Sequence, residues 1–185
     1  ALGVLVGRQL THYWLVPVFA GLEVEPSADA LKHLGATLAS YGSLAMFHVV
    51  GVTPEARTLA EAFGGQAPRG RILVEPGDLD RVYRAFVPDR DEVDVVVFGT
   101  PHLSLFELRE LAERLRGRRV HPRTRLFLTT NAQVRALAER AGYAAAIEAA
   151  GGRILAGPCF YIMTPRLLAE LHGFRTIVTD SAKLA

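Results

Sequence analysis

Short apolar runs alternate along this chain with stretches whose apolar positions recur at helical spacing. Leu31, Leu34 and Leu38 share one helical face behind Ser27, whose hydroxyl can cap the first turn, which predicts a helix to about Tyr41. Residues 44–50 read as a short apolar strand ending in His48-Val49-Val50-Gly51. Thr53-Pro54-Glu55 then predicts a helix start, with Thr as cap, Pro in the first helical position and an acid in the first turn. Residues 71–75 read as a strand, and Asp78 as the cap of a helix through Phe86. A third strand is expected at 94–98. Ser104-Leu105-Phe106-Glu107 is a capping box that opens a helix to about Arg116. Strand 124–129 is followed by Asn131, another cap, and a short Ala-rich helix over 143–150 stops at Gly151-Gly152. Strand 153–156, a turn at Cys159, a short helix after Thr164-Pro165 and a last strand at 176–179 complete the pattern.

Strands alternating with helices through short connections predict an α/β fold: mostly parallel sheet with helices on both faces. Polar, Pro-containing residues 88–92 are the best seam, giving a first α/β subdomain over 1–88 and a second over 89–185. The chain starts without Met and stops soon after its last strand, so both ends read as cuts through a longer protein.

Composition narrows the classes. With 50% hydrophobic residues and 22% charged, the 185-residue chain can bury a real core. Its net charge is only +2, and the densest basic stretch, 114–125, has no interleaved aromatics for base stacking, which argues against nucleic acid. No apolar run approaches the roughly 18 residues that span a bilayer. A single cysteine, Cys159, excludes an internal disulfide and favours a reducing, cytoplasmic setting.

Ligands of parallel sheets bind outside the carboxyl ends of the strands. Here those ends carry polar, turn-forming clusters: His48 to Glu55 with Thr53, Gly99-Thr100-Pro101-His102-Leu103-Ser104, Thr129-Thr130-Asn131, the Gly157-Pro158-Cys159 turn, and Thr179-Asp180-Ser181-Ala182-Lys183. Together they would gather hydroxyls, two histidines, an amide, an ammonium and a thiol on one sheet edge, suiting a small anionic ligand. Taken singly, each has an ordinary explanation: a tight turn, a core histidine, a buried thiol, a solvated lysine. His12, His33, His121 and His172 lie in helical or surface contexts and earn no role. Glycine-rich dinucleotide loops, a phosphate-binding Gly-Lys-Ser, Cys-x-x-Cys and His-Glu-x-x-His are all lacking.

Three strings resemble large-domain motifs of the aconitase X family: Phe47 to Ala56, Gly99 to Ser104 followed by Leu108, and Thr179 to Lys183. The resemblance runs in the expected order over nearly the whole chain. It implies an aconitase-like fold and a dehydratase whose iron–sulfur cluster is held by cysteines. One branch of the family dehydrates cis-3-hydroxy-L-proline and an archaeal branch a phosphorylated mevalonate. By the same resemblance Cys159 is a cluster ligand, although Gly-Pro precedes it where Asp-Thr is usual. Thr100 stands where some members have Cys, Thr or Ser there being commoner in the hydroxyproline-type branch, and Asp180 stands where Asn is usual.

Dehydrating a β-hydroxy acid needs a base for the proton alpha to the carboxylate and a Lewis acid for the departing hydroxide. A cluster with one open iron takes about three thiolates, so the remaining ligands, and a small swivelling domain or subunit, are expected outside this chain. His102, Ser104, Ser181 and Lys183 are the candidates for proton transfer and carboxylate binding; His48, Thr53, Thr100, Thr130 and Asn131 are candidates for other substrate contacts. A non-catalytic binding module built on the same fold is the alternative.

Overall fold

A computed structural model describes residues 1–10, 12–87, 92–157, 159–163 and 165–184. The chain divides into two compact units, Ala1–Val87 and Pro88–Ala185. Most of the expected 88–92 seam, residues 88–91, lies outside the described residues.

The first unit contains α1 (Leu2–Gln9), β1 (Val18–Phe19), α2 (Ala28–Gly42), β2 (His48–Val49), α3 (Leu59–Ala62) and α4 (Pro76–Arg84). Ser27 caps α2 by accepting the Ala30 N–H at 3.1 Å, as its sequence predicts. Helix α1 escaped prediction because two of its inward positions are glycines rather than large apolar residues. A Cβ on Gly3 would come within 2.7 Å of the Thr37 side chain, and one on Gly7 within 2.8 Å of Tyr41. Close backbone approach, not a leucine stripe, seats α1 on α2. Val6, Leu38 and Leu44 form the buried centre, with Phe19 and Phe47 packed against them. β1 and β2 pair in parallel, Val18 opposite His48.

Three expectations in this unit fail. No strand forms at 71–75: Leu73 is 76% exposed and the run has no neighbour in the sheet. Asp78 is not the cap of α4 but its third residue, with its carboxylate accepting the Glu75 N–H at 2.9 Å in a reciprocal capping box. No helix starts at Thr53, because its hydroxyl is turned backwards. It accepts the Val49 N–H at 3.0 Å and donates to the Val49 carbonyl at 3.2 Å, tightening the turn after β2. The helix waits for Thr58, which forms a capping box with Glu61.

The second unit contains β3 (Val95–Phe98), α5 (Leu105–Leu115), β4 (Arg125–Thr130), α6 (Ala132–Arg140), α7 (Tyr143–Ala149), β5 (Gly152–Ala156), a 3₁₀ turn (Phe160–Met163), α8 (Pro165–His172) and β6 (Ile177–Thr179). Its strands follow the expected pattern closely. They form one parallel sheet in the order β5-β4-β3-β6. Leu126, Leu128 and Ile154 face a core built with Leu108, Ala112, Ala138, Ala144 and Ile147 of the helices. Val95 and Val97, on the opposite pleat, are 1% and 0% exposed, so β3 is buried on both faces. The strand order steps from β3 through β4 to β5 and then returns to the far side of β3. That reversal is a topological switch point, the usual place for a ligand in such sheets.

Candidate active site

At the carboxyl end of β3 the chain leaves through Gly99, whose φ of +114° only glycine adopts without strain. A Cβ there would lie 2.5 Å from the Thr129 carbonyl oxygen. The Thr129 hydroxyl donates to the Gly99 carbonyl, and the Gly99 N–H donates to Asp180 Oδ1 at 3.4 Å. The exit loop is thus tied on one side to β4 and on the other to the loop after β6. A cis peptide joins Thr100 to Pro101.

Thr100 is buried, and its Oγ1 lies 3.2 Å from Cys159 Sγ. The sulfur belongs to the turn after β5, so the contact passes over the intervening end of β4. Phe160 anchors that turn: it is 3% exposed and stacks on Phe127 of β4 at 6.2 Å. After β6, Ser181 is buried; its N–H donates to the Thr179 hydroxyl and its own oxygen accepts the Lys183 N–H at 3.2 Å. The Lys183 ammonium sits 4.5 Å from the Tyr161 ring centre. The His102 Nε2 is buried in the same loop cluster, one residue beyond the cis proline.

Four of the five expected strand-end clusters therefore share one sheet edge. The fifth does not: His48 and Thr53 follow β2, in the other unit's two-stranded sheet. Their strand pairs with β1, not with the four-stranded sheet, which corrects the expectation of a single edge. Among the described residues, the buried His48 Nδ1 nonetheless has no hydrogen-bond partner.

Several expected site side chains are already occupied by the fold. Ser104 accepts the Glu107 N–H at 3.2 Å and its own N–H donates to Glu107 at 2.7 Å, capping α5. The Asn131 side-chain oxygen accepts the Val134 N–H at 2.8 Å, capping α6. Thr130, fully buried, donates to the Leu103 carbonyl at 2.6 Å. The same is true of Thr53 in its turn. Sequence reasoning missed the clamping roles of Thr129 and Asp180, and Tyr161 altogether. The paired threonines at a strand end carried a signal for the first; Tyr161 carried none beyond its place two residues after Cys159.

Among the described residues, no three His, Cys, Asp or Glu side chains gather as a metal site. Cys159, free and partly exposed at the sheet edge, can supply at most one thiolate. No helix among the described residues is long and apolar enough to cross a membrane.

Known proteins resemble this chain in sequence and in fold. The pattern of the aconitase X third domain matches residues 93–185, and that of the second domain matches residues 1–84. The chain belongs to the aconitase X family. It is 41% identical over 172 residues to a cis-3-hydroxy-L-proline dehydratase of Pseudomonas aeruginosa, covering 92% of this chain and 29% of that protein. It is 38% identical over 185 residues to a phosphomevalonate dehydratase large subunit of Thermococcus kodakarensis, covering 100% of this chain and 44% of that protein. The crystal structure of Thermococcus kodakaraensis aconitase X in its holo form superposes with a TM-score of 0.78 at 36% identity, over 98% of this chain and 44% of that one. The chain thus spans less than half the length of these aconitase X relatives.

Proposed function

We propose that the intact protein carrying this stretch is an aconitase X hydro-lyase acting on a small anionic hydroxy acid, with cis-3-hydroxy-L-proline as substrate. The observation that carries the reading is the 41% identity to the Pseudomonas aeruginosa enzyme of that name. The site chemistry supports it. In the loops at the sheet edge, 99–104, 157–163 and 180–184, Lys183 is the one Lys or Arg. One ammonium suits one carboxylate, whereas a phosphate favours an arginine fork or several cations. Thr100 in place of a cysteine agrees with the same branch.

In this reading the reaction breaks the Cα–H and C3–O bonds and releases water. The resulting enamine tautomerises to a cyclic imine. Lys183 holds the carboxylate, which acidifies the alpha proton, and His102 or Ser181 moves that proton. We leave Ser104, Thr53, Thr130 and Asn131 with their structural hydrogen bonds. An iron–sulfur cluster, when bound, supplies Lewis acidity toward the leaving hydroxyl. Cys159 would provide one ligand; the other ligands, and a small domain or subunit closing the site, would come from regions the relatives possess beyond this stretch. A reducing, cytoplasmic compartment fits that cofactor.

The test is turnover by the intact protein. Incubation with cis-3-hydroxy-L-proline in deuterium oxide, followed by NMR, should show loss of substrate and exchange at the alpha carbon. His102→Gln or Ser181→Ala should slow turnover by about 10²-fold if either residue moves the proton. Turnover of a mevalonate phosphate with none of the hydroxyproline would overturn the substrate and leave the dehydratase reading standing.

A further inference from the structure

The sheet order puts β5 and β6 at opposite edges, so residues after β5 have two strands to cross before they meet those after β6. The 3₁₀ turn makes that crossing, held at successive points. Phe160 stacks on Phe127 of β4, Cys159 touches Thr100 beyond β3, and Tyr161 meets Lys183 beyond β6. The buried Phe160 is the anchor; Tyr161, 49% exposed, contributes little burial and presents its ring to the lysine.

Lys183 has an unusual partner for a cation at a binding edge. Among the described residues no carboxylate forms a salt bridge with it. Instead its ammonium lies 4.5 Å from the Tyr161 ring centre. A carboxylate neighbour would neutralise the ammonium and compete with an incoming anion. An aromatic face attracts the cation through its quadrupole, limits its rotamers and keeps its charge and N–H donors available. The Lys183 N–H bond to the buried Ser181 oxygen fixes the backbone of the same residue.

We infer that Tyr161 is a positioning residue, whose ring holds the Lys183 ammonium over the sheet edge for the carboxylate of a small substrate. The inference rests on the proposed carboxylate-binding role of Lys183, and its test separates the two.

The intact protein is assayed with cis-3-hydroxy-L-proline, and binding of unreactive L-proline is measured by calorimetry. Lys183→Ala should raise KM and the L-proline Kd by about tenfold or more, the usual effect of deleting a hydrogen bond to a charged group. Tyr161→Leu should raise both by about two- to fivefold with kcat retained, while Tyr161→Phe and Tyr161→Trp, which keep a ring, stay near the parent. Tyr161→Leu added to Lys183→Ala should have no further effect on Kd. A normal Kd in folded Tyr161→Leu, beside a weakened Lys183→Ala, overturns the inference and spares the lysine's role. If Tyr161→Leu does not fold, Tyr161→Trp decides: a Kd as weak as that of Lys183→Ala overturns it. A normal Kd in Lys183→Ala, or no L-proline binding by the parent, overturns both readings.

Discussion

The hydroxyl of Thr100 and the sulfur of Cys159 lie 3.2 Å apart, although β4 separates the strands from which their loops depart. The contact ties the switch point to the turn after β5. Thr100→Val keeps the shape of a side chain that is 6% exposed and removes only its hydrogen-bonding group. Cys159 is partly exposed and can turn to water, so the expected loss is about 1 kcal/mol. A urea unfolding curve would show it, with Thr100→Ser restoring most of it. A loss above about 3 kcal/mol would mean that the loop, not merely one bond, depends on the hydroxyl.

Gly99 should tolerate no side chain. Alanine there meets a φ of +114° and a Cβ 2.5 Å from the Thr129 carbonyl oxygen. Either problem alone costs on the order of 1–3 kcal/mol, and the rigid β4 backbone cannot move aside. Gly99→Ala is expected to lower the thermal midpoint by several degrees or to prevent soluble expression. Unchanged melting would show that the loop has another conformation available.

The second unit was largely legible in the sequence and the first was not, for a physical reason. Strands 95–98, 125–130 and 152–156 have apolar centres, and two following helices carry caps that work as their residue types suggest: Ser104 on α5 and Asn131 on α6. Local pattern and tertiary demand agree there. In the first unit they diverge. Thr53-Pro54-Glu55 has every local mark of a helix start, yet the Thr53 hydroxyl bonds back to Val49. Gly3 and Gly7 mark a helix contact that no hydrophobic stripe announces. The candidate site was half legible. Turn residues marked the strand ends, but strand order decides which ends meet; the 88–92 seam already set His48 apart from the other clusters, whereas no local signal said that Tyr161 reaches Lys183.

Helix α5 offers an internal comparison of burial. Leu108 is 0% exposed in the core, whereas Phe106, two residues earlier, is 64% exposed. Leu108→Ala should destabilise by about 2–5 kcal/mol through lost contacts and a cavity. Phe106→Ala should cost less than about 1 kcal/mol, from its ring contact with Arg109. Paired denaturant titrations would check this, and equal losses would contradict the packing of α5.

The role of Cys159 can be isolated from its packing. Serine is nearly the same size, and its hydroxyl can keep the hydrogen bond to Thr100, so Cys159→Ser should leave the unfolding free energy within about 1 kcal/mol of the parent. As a ligand, serine is a poor substitute for a soft thiolate, so iron–sulfur binding should suffer far more than folding. In the intact protein, purified without oxygen, the substitution is expected to abolish the visible charge-transfer absorption and lower bound iron and sulfide. The 185-residue chain by itself, with one cysteine and no metal-binding trio among its described residues, should hold no stable cluster. Absorption that survives Cys159→Ser would assign this sulfur to packing alone. Stoichiometric iron and sulfide in the monomeric chain would show that ligands other than cysteine complete the site.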